Sequence, residues 1–193
     1  MNTKVTTSLL EKENFDTVIV ATGAQTFIPN IEGVESGNIL DPLLVLDGEQ
    51  NTGDSVVVCG AGLVGCEVAM HLAEQGKKVT MIDMLAEPAM ETSITVKWVL
   101  NARLAELGID VRVGHMINKM TCGCVDCSTE DGEYISFEGE SVICALGLKP
   151  NRILLDELQS APRNFEIISV GDVNKARKII NAVHEGYHAA RRI

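Results

Sequence analysis

Basic residues are scarce in this chain, which has 16 Lys and Arg against 27 Asp and Glu and a formal net charge of −11. No Lys or Arg cluster is longer than a dipeptide. A protein that binds the phosphate backbone of nucleic acid needs a basic face, so we expect no nucleic-acid partner.

Long apolar runs are also missing, since none approaches the ~20 residues that cross a bilayer. The first residues, MNTKVTTSLLEKENFD, lack the basic and apolar regions of a secretory signal peptide. We therefore expect no membrane partner and a cytoplasmic location, where the six cysteines would be reduced thiols. Hydrophobic residues make up 46% of the chain, which is typical of a folded globular protein.

Strand and helix patterns alternate along the chain and predict an α/β fold. Residues 16–21 (DTVIVA) predict a buried strand, and residues 28–53, rich in Pro, Gly and acids, predict a connector. Residues 55–83 predict a strand, a helix and a second strand. Residues 91–107 predict a helix that stops at Gly108. Its expected apolar face consists of Val96, Leu100, Leu104 and Leu107.

The second half of the chain begins with a β-rich section. IDVRV at 109–113 alternates as a strand does, Asp131-Gly132 is a hairpin turn signal, and SVICALG at 141–147 is apolar enough for a central strand. FEIISVGD at 165–172 predicts another strand, followed by a helix to the C-terminus. The apolar stripe of that last helix consists of Ala176, Ile180, Val183, Tyr187 and Ala190.

Residues 55–83 (SVVVCGAGLVGCEVAMHLAEQGKKVTMID) contain a G-x-G-x-x-G pattern between two apolar runs. Gly60 permits a tight turn, Gly62 lets the backbone approach a pyrophosphate, and Gly65 lets helix and strand pack closely. The following helix would point its N-terminal N–H groups at the phosphates. Its expected core face consists of Val64, Val68 and Leu72. The pattern predicts a dinucleotide site; the alternative is a tight strand-turn-helix unit whose glycines serve only packing.

Asp83 ends the second strand, 21 residues after Gly62, where dinucleotide-binding folds place an acid for the ribose hydroxyls. A carboxylate at this position repels a 2′-phosphate. The next three residues, Met84, Leu85 and Ala86, include no Arg that could accept one. The sequence therefore favours NAD(H) over NADP(H).

Four segments occur in the order of a known superfamily: VIVATGA at 18–24, GAGLVGCE at 60–67, ALGLKPN at 145–151 and SVGDV…EGYHAA at 169–190. This order resembles the pyridine nucleotide–disulfide oxidoreductase superfamily, flavoproteins in which an NAD(P)-binding domain is inserted into an FAD-binding domain. GLVGCEVAMHLAEQGKKVTMIDML is similar to the C-terminal part of the old-yellow-enzyme-type NADH:flavin oxidoreductases, such as 2-enoate reductase, 2,4-dienoyl-CoA reductase and trimethylamine dehydrogenase.

The resemblance implies two sets of cofactor-binding residues. Glu67 would lie near the nicotinamide and Gly147 would line the NAD cleft; the alternatives are an ordinary helix-start acid and a strand-end turn. Asp172 would bind the flavin ribitol, and an N-cap of the last helix is compatible with that role. The implied NAD set is Gly60, Gly62, Leu63, Val64, Gly65, Glu67, Asp83 and Gly147. The implied FAD half-site is Thr22, Gly23, Gly171 and Asp172.

One part of the superfamily pattern is not matched. An FAD domain of this type opens with its own G-x-G-x-x-G, but residues 1–15 are fewer than the ~30 of a β-α-β unit. We therefore expect a fragment of a longer flavoenzyme. FAD would be a cofactor of that enzyme, with its retention by this chain in question, and FMN and an iron–sulfur cluster would belong to the remainder.

Two patterns resemble metal sites. His184-Glu185-Gly186-Tyr187-His188 matches the zinc pattern H-E-x-x-H, but it coincides with the EGY…A helix of the superfamily, and Gly186 weakens a helix. We predict no zinc there.

Cys122, Cys124 and Cys127 form the other pattern. Their spacing is neither that of a ferredoxin nor that of paired C-x-x-C knuckles. A hairpin with incidental thiols is the main interpretation, with a metal site and a redox-active C-x-x-C as alternatives.

The predicted fold is thus α/β: a Rossmann-like NAD-binding domain at 50–150, with a parallel sheet, helices and a β-meander crossover, inserted in a partial FAD-binding domain at 1–49 and 151–193. The predicted function is the NADH-binding module of a flavin-dependent oxidoreductase. In the full enzyme, hydride would pass from NADH to FAD, and electrons on to FMN, the cluster and an unsaturated (enoate- or enoyl-type) substrate.

The alternatives are a non-catalytic dinucleotide-binding module and a general NADH oxidase or disulfide reductase domain. The expected partners are NADH, flavin, the remainder of the parent enzyme and, in a homo-oligomer, further copies of the chain.

Overall fold

A computed structural model describes residues 3–36, 38–90 and 92–193. The helices, in chain order, are α1 (Thr7–Glu13), α2 (Pro42–Leu46), α3 (Leu63–Glu74), α4 (Ile94–Glu106), α5 (Ile153–Ser160) and α6 (Ile179–Ala190). The strands are β1 (Thr17–Val20), β2 (Ala24–Thr26), β3 (Ile39–Leu40), β4 (Ser55–Cys59), β5 (Lys78–Ile82), β6 (Asp110–Arg112), β7 (Met116–Met120), β8 (Cys124–Ser128), β9 (Tyr134–Glu138), β10 (Ser141–Cys144), β11 (Leu148–Pro150) and β12 (Glu166–Ser169).

The chain forms two compact units, one of Met1–Gln25 with Leu148–Ile193 and one of Thr26–Gly147. A continuous central segment is therefore flanked in sequence by the two parts of the other unit. The predicted NAD-binding domain is 50–150, whereas the central unit begins at Thr26 and ends at Gly147. The reason is that β3 pairs in parallel with β10, a partner about a hundred residues away that no local pattern reveals.

The central unit is built on a five-stranded parallel sheet in the order β3-β10-β4-β5-β6. Its strand β4 is buried on both faces, as its unbroken apolar sequence predicts. Val56 and Val58 pack in one cluster with α3 and α4, while Val57 and Cys59 pack in a second cluster with β7 and β8. The predicted α/β fold is confirmed.

A three-stranded antiparallel sheet, β7-β8-β9, forms the predicted β-meander. The turn between β8 and β9 contains Gly132 at φ +82°, in agreement with the hairpin signal at Asp131-Gly132. The predicted strand at 109–113 is β6, which joins the parallel sheet beside β5 instead of the meander. The predicted strand at 141–147 is β10, with β3 and β4 on either side.

The connector predicted at 28–53 contains more regular structure than expected. Besides β3 it holds the short helix α2, whose N-terminus is capped by the Asp41 side chain: Oδ1 accepts the N–H of Leu43 at 2.8 Å. Pro42 occupies the first helical turn, where its missing N–H costs nothing. The Asp-Pro pair was the sequence signal for this helix.

The flanking unit contains a two-stranded parallel sheet, β1 with β12. β2 and β11 form another two-stranded sheet. Among the described residues, no helix combines the length and the apolar character that crossing a bilayer requires. The core of the flanking unit, with side chains from α1, β1 and α5, consists of Leu10, Val20, Leu155, Leu158, Phe165 and Val173.

The last helix begins later than predicted, and its apolar stripe is not covered by the rest of the described structure. A short 3-10 turn at 171–173 and a loop precede α6, so Ala176 lies outside the helix. The predicted apolar stripe is exposed, with 55% exposure at Ile180, 58% at Val183 and 59% at Tyr187. The helix instead turns its small residues inward, and Ala189 is only 3% exposed. Apolar periodicity identifies a stripe but not the element that covers it.

Candidate functional site

The carboxyl ends of β10, β4 and β5 meet at one edge of the central sheet. The chain leaves β4 toward β5 on one side, while β10 lies on the other side, so the strand order reverses at β4. Ligands of open α/β sheets bind at such a switch point. The predicted residues of the glycine loop (60–65), Asp83 and Gly147 all follow these three strands, so the topology brings them to one edge.

The three glycines of the loop differ in what surrounds them. Gly60 has φ +107°, and a Cβ there would lie 2.4 Å from the Ala145 carbonyl oxygen. A Cβ on Gly65 would lie 1.9 Å from the Gly60 carbonyl oxygen. A Cβ on Gly62 would meet no atom of the protein within 4 Å. Gly60 and Gly65 are therefore required by packing, whereas Gly62 leaves room for something outside the chain.

Helix α3 begins at this loop, with Gly62 as its N-cap. No side chain caps the helix, so the N–H groups of its first turn are left for another acceptor. Leu63 is 39% exposed and Val64 is half-buried, whereas Val68 is fully buried. The positive end of the helix dipole and these N–H groups favour an anion at the loop.

Asp83 is bonded to the glycine loop by its side chain. Its Oδ2 accepts the N–H of Ala61 at 2.6 Å, and its Oδ1 accepts the N–H of Leu85 at 2.8 Å. Its backbone N–H donates to the Arg112 carbonyl oxygen at 2.9 Å, and its own carbonyl oxygen accepts the N–H of His115 at 2.9 Å. Four hydrogen bonds within the protein thus hold Asp83 in place.

Ala89 is a second contact to the loop, and the sequence analysis missed it. Its N–H donates to the Ala61 carbonyl oxygen at 2.7 Å. Ala89 is 4% exposed and has φ +49°, a left-handed conformation that is costly for a residue with a Cβ. Pro88 before it, a residue common at the first central position of a turn, was the available signal.

Arg112 was also missed as a neighbour of this site. It pairs with Ile82 across β5 and β6, next to Asp83, although 29 residues separate it from Asp83 in sequence. Its Nε donates to Asp110 Oδ2 at 3.0 Å. An arginine is therefore close by, and Asp110 binds its guanidinium.

Glu67 and Gly147 show features of their implied alternatives. Glu67 is an exposed residue early in α3. Gly147 has φ +124°, and its carbonyl oxygen accepts the N–H of Phe27 at 2.9 Å.

Cys66 lies between the glycine loop and Glu67 in sequence. Burial and the charges of Asp83 and Glu67 raise the pKa of its thiol to about 12. Cys66 is therefore an uncharged core residue at neutral pH.

The four residues of the implied FAD half-site lie in the flanking unit. Thr22 and Gly23 follow β1, and Gly171 and Asp172 follow β12, the parallel partner of β1. The topology therefore places both pairs at the same end of this sheet. The Thr22 hydroxyl donates to the Asn151 carbonyl oxygen at 2.7 Å, so Thr22 also holds its own connection.

Asp172 does not cap the last helix, as one interpretation predicted, because the N-cap of α6 is Lys178. Its Oδ1 instead accepts the N–H of Arg177 at 3.1 Å and closes the loop before α6. Gly171 has φ +74°, and its N–H donates to Glu185 Oε2 at 2.7 Å.

Cys122, Cys124 and Cys127 do not form a group in the structure. Cys124 and Cys127 lie three residues apart on β8 and therefore on opposite faces. Cys127 is fully buried, and burial, followed by the charge of Asp126, raises the pKa of its thiol to about 11. Cys122 is exposed. Within 3–36, 38–90 and 92–193, no three His, Cys, Asp or Glu side chains form a group that could hold a metal ion.

Residues 2–182 match the family described as pyridine nucleotide-disulphide oxidoreductase. The chain is 37% identical over 179 residues to the bilirubin reductase of Mediterraneibacter gnavus, covering 92% of this chain and 28% of that protein. It is 32% identical to the NADH oxidase of Thermoanaerobacter brockii (92% and 28%) and 30% identical to the cinnamate reductase of Clostridium sporogenes (92% and 26%). The chain thus spans under a third of the length of these relatives.

Solved structures show the same fold. A 2-naphthoyl-CoA reductase in complex with 2-naphthoyl-CoA superposes with a TM-score of 0.91 at 27% identity, covering 97% of this chain and 28% of that one. Histamine dehydrogenase from Rhizobium sp. 4-9 superposes with a TM-score of 0.86 at 19% identity, covering 100% of this chain and 33% of that one.

Proposed function

The chain belongs to the pyridine nucleotide-disulphide oxidoreductase family, and from this premise we propose that its central unit binds NADH. The observation that carries the proposal is the contrast between the glycines. Gly60 and Gly65 are enclosed by the protein, whereas the missing side chain of Gly62 faces open space beside the uncapped start of α3. A pyrophosphate needs that combination of close backbone approach and free N–H donors.

Different residues of this chain would bind different parts of the nucleotide. The N–H groups at the start of α3, with Gly60, Gly62, Leu63, Val64 and Gly65, bind the pyrophosphate. Asp83 accepts hydrogen bonds from the adenosine ribose hydroxyls with the lone pairs that Ala61 and Leu85 leave open. Glu67 and Gly147 lie toward the nicotinamide. When bound, the nicotinamide supplies the hydride.

The preference for NADH over NADPH rests on two carboxylates. Asp83 repels a 2′-phosphate, and Asp110 engages the guanidinium of Arg112, the arginine that the neighbouring strand places beside this site. An NADH oxidase among the relatives is consistent with this choice.

In the longer flavoenzyme of which we propose this chain is a part, FAD would accept hydride from NADH, and FMN and an iron–sulfur cluster would supply the electron path to an unsaturated acceptor. Relatives named cinnamate reductase and bilirubin reductase support a reductase of conjugated double bonds. Thr22, Gly23, Gly171 and Asp172 contribute the part of the FAD site that lies in this chain. We propose the cytoplasm as the compartment, as the sequence analysis expects.

Calorimetric titration of the purified chain with NADH and NADPH tests the proposal. We expect NADH to bind at least about tenfold more tightly than NADPH, a difference of ~1.4 kcal/mol. Binding of neither nucleotide, or tighter binding of NADPH, would refute it. An absorbance spectrum of the same sample shows whether this chain retains flavin by itself. A band at about 450 nm indicates bound flavin, and its absence indicates that none is retained.

A further inference from the structure

Glu185 is a charged residue on the inward face of the last helix. It lies on α6 between Ala182 and Ala189, one turn from the former on the same side of the helix, and its side chain is 31% exposed. A carboxylate in such a place needs partners. It has three: the N–H of Gly171 donates to Oε2 at 2.7 Å, the guanidinium of Arg177 donates to Oε1, and the Asn174 side chain also hydrogen-bonds to the carboxylate.

All three partners belong to the loop that carries Asp172. Arg177 is bound at three points: its guanidinium binds Glu185, its Nε donates to the Lys175 carbonyl oxygen at 3.3 Å, and its backbone N–H donates to Asp172 Oδ1 at 3.1 Å. The loop from Gly171 to Arg177 is therefore held by two carboxylates: that of Asp172, which lies within the loop, and that of Glu185, which lies on α6.

The helix also contacts the turn directly. A Cβ on Gly171 would lie 3.2 Å from the Ala182 Cβ, and the φ of +74° at Gly171 disfavours any other residue. Ala182 and Glu185 are three residues apart, so one face of α6 both packs against Gly171 and binds its N–H.

We propose that Glu185 is the positioning residue of the Gly171–Asp172 turn, which sets the Asp172 carboxylate for a flavin ribitol. This rests on the proposed function, in which Asp172 contacts the flavin. Glu185 itself bonds to the Gly171 peptide, Arg177 and Asn174, and acts through them. The Glu of the H-E-x-x-H pattern thus has a use that involves no metal, while His184 and His188 on either side of it are exposed.

The electrostatics agree with this geometry. The Arg177 guanidinium, followed by the Gly171 N–H, lowers the pKa of the Glu185 carboxyl, so the bonded carboxylate is the form present at neutral pH.

The test compares Glu185→Ala and Glu185→Gln with His184→Ala, an exposed neighbour on the same helix, as the control. Hydrogen exchange of the Gly171 and Arg177 amides is measured by NMR without ligand, and affinities for FAD and NADH are measured by calorimetry. In Glu185→Ala we expect the Gly171 amide to exchange about tenfold faster or more, because a hydrogen bond to a charged group is lost. FAD affinity falls about tenfold, while NADH affinity stays within about twofold of the wild type.

Glu185→Gln keeps an acceptor for Gly171 and loses the charge that binds Arg177, so its effects should be intermediate. The proposal fails if the Gly171 amide exchanges in Glu185→Ala as it does in the control. It also fails if the wild type binds FAD and Glu185→Ala binds it equally well. A wild type that does not bind FAD refutes the proposed half-site, and the amide exchange then still decides whether Glu185 holds the turn. If Glu185→Ala does not fold, amide exchange and FAD affinity are compared in the isosteric Glu185→Gln variant and in Arg177→Gln.

Discussion

Asp83 Oδ2 lies 2.6 Å from the backbone nitrogen of Ala61, so the acid that ends one strand is bonded to the glycine loop that ends the adjacent strand. The peptide groups on the two sides of Ala61 are both held from downstream, since its carbonyl oxygen accepts the N–H of Ala89 at 2.7 Å. The glycine loop is therefore held by residues that follow it by more than twenty positions in sequence.

Replacing Asp83 by Asn tests this arrangement. The amide has one oxygen for two backbone donors, so its NH2 group must face the N–H of Ala61 or that of Leu85. We expect a loss of ~1–3 kcal/mol in the free energy of unfolding and at least about a tenfold loss in NADH affinity. Urea unfolding and calorimetry measure the two effects, with Asp131→Asn in the hairpin turn as the control. Unchanged NADH affinity would show that Asp83 does not serve the ribose.

The two glycines Gly62 and Gly65 should respond in opposite ways to Ala. Gly62→Ala places its Cβ in open space at φ −67°, so the melting temperature should change little, while NADH affinity falls about tenfold or more. Gly65→Ala brings its Cβ to 1.9 Å from the Gly60 carbonyl oxygen, so the protein itself should be destabilised, by several kcal/mol. Thermal unfolding monitored by circular dichroism separates them. A Gly62→Ala variant that binds NADH normally contradicts the pyrophosphate assignment.

Cofactor preference should follow the charge at the end of β5. The double variant Asp83→Ser, Met84→Arg removes the repulsion of a 2′-phosphate and supplies a guanidinium at a side chain that is 65% exposed. We expect the ratio of NADPH to NADH affinity to rise by at least about tenfold. Asp83→Ser alone is the control that separates lost ribose contacts from gained phosphate contacts. A wild type that already prefers NADPH would invalidate this interpretation of Asp83.

The six thiols should divide sharply in their reactivity. Cys122 is exposed and should react first with N-ethylmaleimide at pH 7, whereas Cys66 and Cys127 are buried and burial raises their pKa values to about 12 and about 11. Both must lose a proton in an environment that disfavours the thiolate. Mass spectrometry of the modified peptides over time measures the order. Early labelling of Cys66 or Cys127 would show that the core of the central unit opens readily.

The pH dependence of stability should report the lowered pKa of Glu185. A carboxyl whose pKa is lower in the folded than in the unfolded chain stabilises the fold above its unfolded pKa of ~4.3, and this contribution is lost as pH falls through the folded pKa. The difference in unfolding free energy between wild type and Glu185→Gln should therefore be constant from neutral pH to about 5 and shrink at lower pH. Urea unfolding across this range measures it, and a difference independent of pH would mean that the Glu185–Arg177 pair does not form in solution.

The part of the molecule that the sequence predicts well is the stretch from β4 to β5. Gly65, which packs against the Gly60 carbonyl oxygen, and the buried positions Val68 and Leu72 are determined by contacts within about thirty residues, the length of a β-α-β unit. The hairpin at Asp131-Gly132 is predictable for the same reason, since a turn residue with positive φ acts on its immediate neighbours.

The errors fall where distant elements decide. The sequence predicts the apolar stripe of α6 but not its exposure, because periodicity does not say what lies against Val183 or Tyr187. β3 was read as part of a connector because a strand of two residues carries almost no pattern of its own and exists through its pairing with β10.

The sequence by itself determined which residue types are available at each turn: the glycines that permit close approach, the acid after β5 and the apolar strands that must be buried. Only the tertiary structure decided which of them meet, as Asp83 meets Ala61, Arg112 meets Asp83 and Glu185 meets Gly171. Local patterns follow from backbone sterics and side-chain periodicity over a few residues. Which strand lies beside which, and which carboxylate reaches which N–H, follows from packing across the whole chain, and that information is not contained in any single segment.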